Sequence, residues 1–470
     1  MIKITKMMKC SPVWVVFICL LVAGKCLAEG GQNGLAPKDT NEDAVLTTIP
    51  PSPVQVQGAG IDLPSIIRDL GIERNPYVTL GEWMSETPQV PGASAQRQLE
   101  IAHAWATLWV DILPANGHGW THPIISPGES YRAGIWLWDS GFHVLGLLHG
   151  GPKARQLAIW QVEVILSNQW PSGKVPSLIV AGGGINPNPD DHPSDYYGIQ
   201  YPGILPFAVN RLYDTVQSDE ERKSLGKAIE TFYPKLVLNH DWFMKHLDQG
   251  RGLCRSVLLD SWDNSPRWDH KEQLKETIDL DCWLYLDLVE LRTMATILGK
   301  TEEAQKLGTQ ADELKKLIGR YHWSEKLGCF NDTLTDGSVS GVITPAIFWP
   351  LWTGIATPDQ AKRTLTFLQD PKELGTPWPI PCVASSDKAY HSHSFWRGST
   401  WVNLNWVAIR GLQRYGFTTE ARALREKTLA MVARNPIPNE LYDSQTGEGK
   451  GSRYYGWTAA LFIDLAFDKD

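Results

Sequence analysis

Two aspartates stand three residues apart in the segment LLDSWDNSPRW at 258–268. Asp260 and Asp263 lie on either side of Trp262. A carboxyl group held against an indole ring in a dry pocket keeps its proton near neutral pH, because burial disfavours the charged form. Such a group can act as a general acid. The alternative is an ordinary Asx turn before the proline, with Arg267 as the salt-bridge partner of the aspartates.

Four further segments combine aromatic and polar side chains in the same way. They read WLWDSGFH at 136–143, QWPSGKVP at 169–176, FWRGSTWVNLNW at 395–406, and ELYDSQTGE at 440–448, which is followed by YYGWTA at 454–459. In this order the five motifs resemble the inverting glycosidases of glycoside hydrolase family 63. That family includes processing α-glucosidase I and the bacterial mannosylglycerate and glucosylglycerate hydrolases, and the trehalases are more distantly similar. The resemblance covers residues 76–470.

The resemblance implies the two catalytic roles. Glycoside hydrolysis needs one carboxylic acid to protonate the leaving oxygen and one carboxylate to activate water or to attack the sugar. In the related families the aspartate of the Trp-Asp-Asn segment is the acid, which corresponds to Asp263. The glutamate two residues before the Tyr-Asp pair is the base, which corresponds to Glu440. Without the resemblance, the surrounding NPIPNELYD also fits a surface acid in a turn.

Asp139 is the acid of an aromatic segment that also holds Trp136, Trp138 and Phe142. An aspartate in so apolar a segment must find hydrogen-bond donors or bear a large free-energy cost of burial. Sugar hydroxyls are such donors, and the resemblance implies that Asp139 binds the glycone in the first subsite. The alternative is a buried aspartate satisfied by Arg132 or by the backbone.

Flat aromatic rings stack on sugar faces, and the chain contains 21 tryptophans. Arg397 can hold Asp139, a catalytic carboxylate or a substrate anion through its planar guanidinium group. Gln169 and Gln200 are candidates for hydroxyl binding. The predicted substrate-binding residues are Trp138, Asp139, Arg132, Gln169, Gln200, Trp262, Trp396, Arg397, Trp401 and Trp457.

One motif departs from the family pattern. Trehalases and several relatives carry a glutamine just ahead of the closing Gly-Trp pair. This chain has Arg453, Tyr454 and Tyr455 before Gly456 and Trp457. The aglycone subsite is therefore not carried over from the resemblance.

The elements that position these residues show two helical patterns. Amphipathic patterns recur at 225–243, 358–368 and 419–432 and in a pair of helices separated by Gly299, with Thr301 predicted to cap the second. The second helix of the pair carries Leu307, Ala311, Leu314 and Ile318 on one face. The segments bearing WDSGFH and WRGSTWVNLNW are instead apolar on nearly all sides, which is typical of buried helices.

Alternating inner and outer helices predict an all-α fold with two layers of helices. The resemblance implies that the layers close into an (α/α)6 barrel, a six-hairpin toroid, with long loops at the active-site mouth. One such loop, at 183–201, is long enough to have a functional role. Strand signals are few, and residues 329–333 together with Asp336 and Gly337 predict a small hairpin beside the mouth.

The first 28 residues predict a secretory signal peptide. Lysines at 3, 6 and 9 precede an apolar run at 13–23, and Cys-Leu-Ala precedes Glu29. A membrane anchor is the alternative, although the run is short for a span. Residues 29–75 are predicted to form a linker or N-terminal extension, and 76–470 the catalytic domain. The expected location is therefore secreted or periplasmic, without stable membrane insertion after cleavage.

Charge and cysteine content exclude some functions. Cleavage would remove four lysines and no acid, which changes the net charge from -8 to -12, and neither value suggests nucleic-acid binding. The remaining cysteines, at 254, 282, 329 and 382, could form one or two disulfides or remain buried thiols. With no CxxC pair and no HExxH motif, no metal site is predicted, and Asp190, Asp191 and Asp195 fit a plain acidic loop better than a calcium site.

These observations predict an inverting, exo-acting α-glycosidase that needs no organic cofactor. Its expected partner is a small carbohydrate, an α-glucoside or α-mannoside. Glucosylglycerate or mannosylglycerate comes first, followed by trehalose and α-glucosyl oligosaccharides. A catalytically silent sugar-binding barrel is an alternative of another class, but both acids are present. A barrel lyase acting on anionic polysaccharide would be expected to use Tyr and His instead.

Overall fold

A computed structural model describes residues 77–468, apart from 118, 133, 181–201 and 256–261, and describes His270 by its backbone alone. The predicted signal peptide at 1–28 and the linker at 29–75 lie outside the described residues. So do Asp260 and the whole loop at 183–201, which includes Gln200 and the acidic residues at 190, 191 and 195.

Helices dominate the described part of the chain. In order they are α1 (Leu80–Ser85), α2 (Ala95–Val110), α3 (Leu137–Leu147), α4 (Pro152–Ser167), α5 (Ile204–Asp214), α6 (Asp219–Leu247), α7 (Ile278–Ile297), α8 (Thr301–Tyr321), α9 (Trp349–Thr353), α10 (Pro358–Gln369), α11 (Val402–Arg414), α12 (Thr418–Ala433) and α13 (Gly456–Ala466). The three predicted amphipathic segments lie in α6, α10 and α12.

Six of these helices form a closed inner ring. Helix α3 contacts α5, α5 contacts α7, α7 contacts α9, α9 contacts α11, α11 contacts α13, and α13 contacts α3 again. Most of the even-numbered helices pack on this ring from outside: α2 on α13, α4 on α3, α6 and α8 on α7, and α12 on α11. The predicted all-α (α/α)6 barrel is confirmed.

Burial explains the two layers. Every residue of inner helix α3 is buried, whereas outer helix α8 buries only the four apolar residues predicted for its inner face. Glycine allows the inner helices to approach closely: a Cβ at Gly146 of α3 would lie 2.5 Å from the Cα of Ala460 in α13. A larger residue there would push two ring helices apart.

The break between α7 and α8 lies where the sequence placed it. Gly299 has a φ of 71°, a left-handed conformation that glycine adopts readily and that ends α7. The prediction that Thr301 caps α8 is wrong, because the cap position is one residue earlier. Helix α8 begins at Thr301 itself, and the residue before it, Lys300, makes no side-chain capping bond.

Short strands lie between the helices. They are β1 (Ile112–Leu113), β2 (Ile124–Ile125), β3 (Gly134–Trp136), β4 (Leu178–Val180), β5 (Leu274–Glu276), β6 (Trp323–Ser324), β7 (Cys329–Phe330), β8 (Thr333–Leu334), β9 (Asn439–Tyr442) and β10 (Gly449–Arg453). The antiparallel pairs are β1–β2, β3–β4, β5–β8, β6–β7 and β9–β10.

In place of the single hairpin predicted around 329–337, the two strands of this region pair with different partners. Strand β7 pairs with β6, while β8 pairs with β5 and Thr333 also bridges to Val339 across the turn at Asp336 and Gly337. The chain changes partner between Phe330 and Thr333, so one continuous hairpin does not form.

The four cysteines of the barrel are free and buried, so the buried-thiol alternative is the one observed. Within the described residues, no group of three or more His, Cys, Asp and Glu side chains is arranged to hold a metal ion. In the same part of the chain, no helix combines the length and the apolar character that crossing a membrane requires.

Candidate active site

Asp263 lies just ahead of the 3-10 turn Pro266–His270 and is tied to the 3-10 turn Phe395–Arg397. The indole N–H of Trp396 donates to Oδ2 of Asp263 at 3.2 Å, and the backbone N–H of Trp396 donates to Oδ1 of Asn264 at 2.8 Å. Burial raises the pKa of Asp263 to about 6, although the indole and backbone donors act in the opposite direction. The carboxyl is therefore a weak acid in an aromatic setting.

The five tryptophans predicted for the site form one contiguous cluster. Trp396 and Trp401 stack with ring centroids 3.9 Å apart and an interplanar angle of 8°. Trp262 lies 5.2 Å from Trp396, and Trp457 lies 5.8 Å from both Trp138 and Trp401. All five are almost completely buried. The inner helices α3, α11 and α13 begin within this cluster, which places their N-terminal ends around the candidate site.

Glu440 lies on β9 and is 4% exposed. It accepts one hydrogen bond at each oxygen: from the hydroxyl of Tyr131 at 2.9 Å and from the backbone N–H of Ser452 at 2.8 Å. Burial raises the pKa of Glu440 to about 7 and the charge of Asp263 adds to this, while the two hydrogen bonds lower it. The carboxylate is thus oriented by two neutral donors.

A bulge in the hairpin supplies one of these donors. The register of β9 and β10 shifts between Lys450 and Arg453, and Ser452 directs its N–H to the side chain of Glu440. Gly451 has a φ of 72°, and a Cβ there would lie 2.5 Å from Oε2 of Glu440. Both facts require glycine at this position.

Asp139 lies in the first turn of α3 and is buried. It accepts a hydrogen bond from the hydroxyl of Tyr455 at 3.2 Å. Burial raises the pKa of Asp139 to about 8, the Tyr455 and backbone donors oppose this, and the charge of Glu440 adds to it. Few donors hold this carboxyl, so it can still accept hydrogen bonds from a ligand.

Arg132 does not hold Asp139, contrary to the alternative raised from the sequence. Its guanidinium donates to the backbone carbonyl of Val110 at 2.7 Å and lies 3.6 Å from Asp111. Asp111 is completely buried at the end of α2, and this burial raises its pKa well above the ordinary value. Arg132 thus lies beside the site residue Tyr131 but is directed towards α2.

Arg397 and Gln169 also find partners other than the three site carboxyls. Arg397, whose side chain is 27% exposed, pairs with Asp269 through two hydrogen bonds. Gln169 donates to the backbone carbonyls of Gly173 and Lys235, both at 2.6 Å, and so ties its turn to α6. Gln200 lies outside the described residues.

Arg267 is not the partner of Asp263 either. It forms a bidentate pair with Asp279 and another with Asp332, with four donor–acceptor distances between 2.6 and 2.8 Å. Its guanidinium also lies 5.2 Å from the ring centre of Trp262. Arg267 therefore anchors the segment that carries Asp263, and within the described part of the chain that carboxyl has no cationic partner.

Sequence reasoning did not select Tyr131, Ser452 or Tyr455 as site residues. The hydrogen bond of Tyr131 to Glu440 spans 309 positions, and that of Tyr455 to Asp139 spans 316. The two tyrosine rings also contact each other edge-on, with centroids 5.9 Å apart. The one available signal was the Arg-Tyr-Tyr departure at 453–455, which marked Tyr455 as unusual without indicating its partner.

The arrangement has a clear chemical character. In the described part of the chain, the donors to these three carboxyls are tyrosine hydroxyls, one indole and backbone N–H groups. Neutral donors orient a carboxyl without fixing its charge, and burial keeps its pKa near the working pH of an acid or base. The site can therefore give and take protons beside an aromatic surface.

Comparisons with known proteins agree with this chemistry. The model of the mannosylglycerate hydrolase MGH1-like glycoside hydrolase domain matches residues 132–458. The mannosylglycerate hydrolase of Thermus thermophilus is 26% identical over 425 residues, which cover 75% of this chain and 98% of that protein. The glucosylglycerate hydrolase of Mycolicibacterium hassiacum is 24% identical over 413 residues, covering 70% and 91% of the two chains.

A solved structure shares the fold. The crystal structure of the family 63 mannosylglycerate hydrolase from Thermus thermophilus in complex with glucose superposes with a TM-score of 0.65 at 21% identity. The match covers 77% of this chain and 98% of the other.

Proposed function

Because the chain belongs to the mannosylglycerate hydrolase MGH1-like glycoside hydrolases of family 63, we propose that it is an inverting, exo-acting α-glycosidase of mannosylglycerate or glucosylglycerate. In this proposal Asp263 is the general acid and Glu440 the general base. Asp139 binds the glycone.

The observation that carries the proposal is the contrast between the surroundings of the two carboxyls. Glu440 receives a hydrogen bond at each oxygen, which stabilises the charged form that a base must have. Asp263 receives the indole N–H of Trp396 and a backbone N–H and has no cationic partner among the described residues, so burial raises its pKa to about 6 and lets it carry a proton. The pKa of Glu440, about 7, is the higher of the two, so the productive form, with Glu440 ionised and Asp263 protonated, is a minor form of the free protein.

These roles give a balanced single displacement. Glu440 takes a proton from water while the water oxygen bonds to the anomeric carbon. The glycosidic bond breaks on the opposite face, and Asp263 gives its proton to the departing oxygen. The enzyme ends with Glu440 protonated and Asp263 ionised, and proton exchange with solvent restores both groups.

Asp139 fits the glycone site because it is a buried acceptor with capacity to spare. With a pKa of about 8 it is largely protonated at neutral pH in the free protein. Sugar hydroxyls that donate to it would favour its charged form, so binding and ionisation support each other. The tryptophan cluster around Trp138 and Trp457 offers apolar surface for the sugar ring.

The proposal is tested by a substrate screen of the purified protein. Mannosylglycerate, glucosylglycerate, trehalose and a nigerose-type disaccharide would be compared by kcat/KM, and one of the two glycerates should rank first. A proton NMR time course on the best substrate should show the β-anomer as the first product of an α-linked glycoside. An α-anomer as first product would contradict inversion, and a higher ranking of trehalose would contradict the proposed aglycone.

A further inference from the structure

The two donors that hold Glu440 come from segments far apart in the chain. Tyr131 ends the 3-10 turn Glu129–Tyr131, which precedes β3, whereas Ser452 lies on β10 near the C-terminus. The two segments pack against each other, but among the described residues they belong to no common helix or sheet. The geometry of the carboxylate therefore depends on whatever fixes these two segments together.

One side chain joins them directly. The Oγ of Ser452 accepts a hydrogen bond from the backbone N–H of Ser130 at 3.0 Å, while the N–H of the same Ser452 donates to Glu440. Ser130 is adjacent to Tyr131, whose hydroxyl donates to the other oxygen of Glu440. Three hydrogen bonds and the peptide bond between Ser130 and Tyr131 thus form a closed loop that includes Glu440 and Ser452.

Close packing leaves little freedom around this closed loop. A Cβ on Gly128 would lie 3.2 Å from the Oγ of Ser452 and 2.9 Å from the ring of Tyr455. The backbone N–H of Gly456 donates to the carbonyl of Pro127 at 2.7 Å. The chain ahead of Tyr131 therefore lies directly against the chain that follows Ser452.

A second tie spans the same two segments at the surface. Arg453 donates to both oxygens of Glu129 at 2.9 and 3.1 Å. The two side chains are 53% and 31% exposed, so solvent weakens this ion pair. The buried Ser452 bond is the stronger constraint, because Ser452 is only 5% exposed.

We propose that the hydroxyl of Ser452 is a positioning group for the base: it couples the two donors of Glu440, so that Tyr131 and the Ser452 N–H hold the carboxylate as one unit. This inference rests on the proposed role of Glu440. The hydroxyl of Ser452 acts on Glu440 indirectly, through the backbone of Ser130 and the hydroxyl of Tyr131.

The test is a double-mutant cycle between Ser452→Ala and Tyr131→Phe. Ser452→Ala keeps the backbone donor to Glu440 and removes the acceptor for Ser130, together with a long hydrogen bond of 3.4 Å to the carbonyl of Arg453. It should lower kcat about 10- to 100-fold with a change in KM of about twofold or less, because a small displacement of a catalytic group reduces turnover strongly. The double variant should match Tyr131→Phe alone within about threefold, because both substitutions remove the same tie.

The pH profile separates positioning from a loss of stability. The hydrogen bond of Tyr131 lowers the pKa of Glu440, so loosening that bond should raise the pKa. Because the pKa of Glu440 is the higher of the two, the alkaline limb of kcat/KM reports Glu440 and should move to higher pH in Ser452→Ala. An unmoved alkaline limb, or effects of Ser452→Ala and Tyr131→Phe that multiply independently, would overturn the inference.

Ser444→Ala is the matched control. Ser444 is a buried serine at the end of the same hairpin, and its hydroxyl donates to the carbonyl of Ser392 at 3.3 Å and bonds to the hydroxyl of Tyr390. Ser444→Ala should lower the melting temperature about as much as Ser452→Ala and leave the alkaline limb in place. Equal effects of the two serine variants on the alkaline limb would overturn the inference.

Glu440→Gln separates the proposed role of Glu440 as the base from the proposed coupling by Ser452. If Glu440→Gln keeps turnover on the best substrate, the proposed role of Glu440 fails, and the inference fails with it. If Glu440→Gln is inactive while Ser452→Ala matches the wild type, the proposed function stands and the coupling by Ser452 is overturned.

Discussion

Two groups of buried carboxyls in this protein have opposite electrostatic surroundings. The ion-paired cluster consists of Asp279 and Asp332 around Arg267. The active-site carboxyls are Asp139, Asp263 and Glu440. Asp263 and Arg267 are four residues apart on one short segment, yet each belongs to a different group.

The ion-paired cluster has fixed charges. Burial alone would lower the pKa of Arg267, but the charges and hydrogen bonds of Asp279 and Asp332 outweigh it and raise that pKa well above the ordinary value. Asp464 on α13 behaves in the same way. Arg410, His149 and the indole of Trp406 overcome the effect of burial and hold its pKa below the ordinary value.

The active-site carboxyls are buried to a similar extent but have no such partner among the described residues. Burial dominates there, and the pKa values rise to about 6, 7 and 8. Burial alone therefore does not decide whether an acid is structural or catalytic. A cationic partner fixes the charge and the geometry, whereas neutral donors fix the geometry and leave the proton exchangeable.

The largest expected effect comes from the active-site carboxyls themselves. Asp263→Asn and Glu440→Gln should each lower kcat by about 10²- to 10⁴-fold, because a nearly isosteric amide can neither give nor take the proton. Thermal unfolding should remain cooperative, with a melting temperature equal to or above that of the wild type. Full activity in either variant would remove that residue from the catalytic pair.

Arg267→Met should have the largest effect on stability. It leaves Asp279 and Asp332 buried without their cation, so the free energy of unfolding should fall by about 3–5 kcal/mol in urea titrations. Arg397→Met is the matched control, since Arg397 pairs with Asp269 at the surface and should contribute about 0–1 kcal/mol. Equal losses in the two variants would break the comparison.

Asp139→Asn should change how stability depends on pH. The folded-state pKa of Asp139 is about 8 against an ordinary value of 3.8, so the folded protein binds this proton more tightly than the unfolded chain. Wild-type stability therefore falls as pH rises between these values. Asp139→Asn removes this dependence and should gain a few kcal/mol on the wild type between about pH 4 and pH 8.

The same substitution should lower activity, with a higher KM and a lower kcat, through lost hydroxyl contacts.

Asp464→Asn should change the pH dependence of stability in the opposite direction to Asp139→Asn. The lowered pKa of Asp464 contributes stability above the ordinary value of 3.8 that is lost as pH falls below it. The advantage of the wild type over Asp464→Asn should therefore shrink on acidification. Parallel pH curves for the two variants would contradict the assignment of the two groups.

The smallest effect expected is the shape of the pH–rate profile. With pKa values of about 6 for Asp263 and about 7 for Glu440, kcat/KM should be bell-shaped with a maximum between about pH 6 and 7. The charge of Asp263 raises the pKa of Glu440, so the two titrations are coupled and the two limbs report the pair rather than single residues. A value of kcat/KM that does not change over several pH units around neutrality would show that proton transfer does not limit turnover.

Much of the fold followed from the sequence because it depends on local periodicity. The apolar face of α8 was predicted residue by residue, and the fully apolar character of the α3 segment placed it in the inner ring. Closure into six pairs came from the resemblance. Thr301 was misplaced by one position because helix ends depend on backbone geometry that residue type alone does not define.

The aromatic motifs also predicted which tryptophans and carboxyls lie together, since each motif places its acid beside rings that must be buried. They did not predict the partners of the charged side chains. The side chains of Arg132, Arg397 and Gln169 could bind a ligand. In the structure they instead donate to main-chain carbonyls or to a carboxylate outside the site. Partner choice depends on distance in space, which residue type does not reveal.

The helical layers, the aromatic motifs and the candidate acids can thus be read from the residues alone. Which carboxyls are neutralised by a cation and which keep an exchangeable proton depends on the folded chain. Tyr131, Ser452 and Tyr455 reach their carboxyls across more than 300 positions or through a strand bulge. Because a pKa depends on burial and on donors within a few ångströms, it becomes defined only once the barrel has brought these segments together.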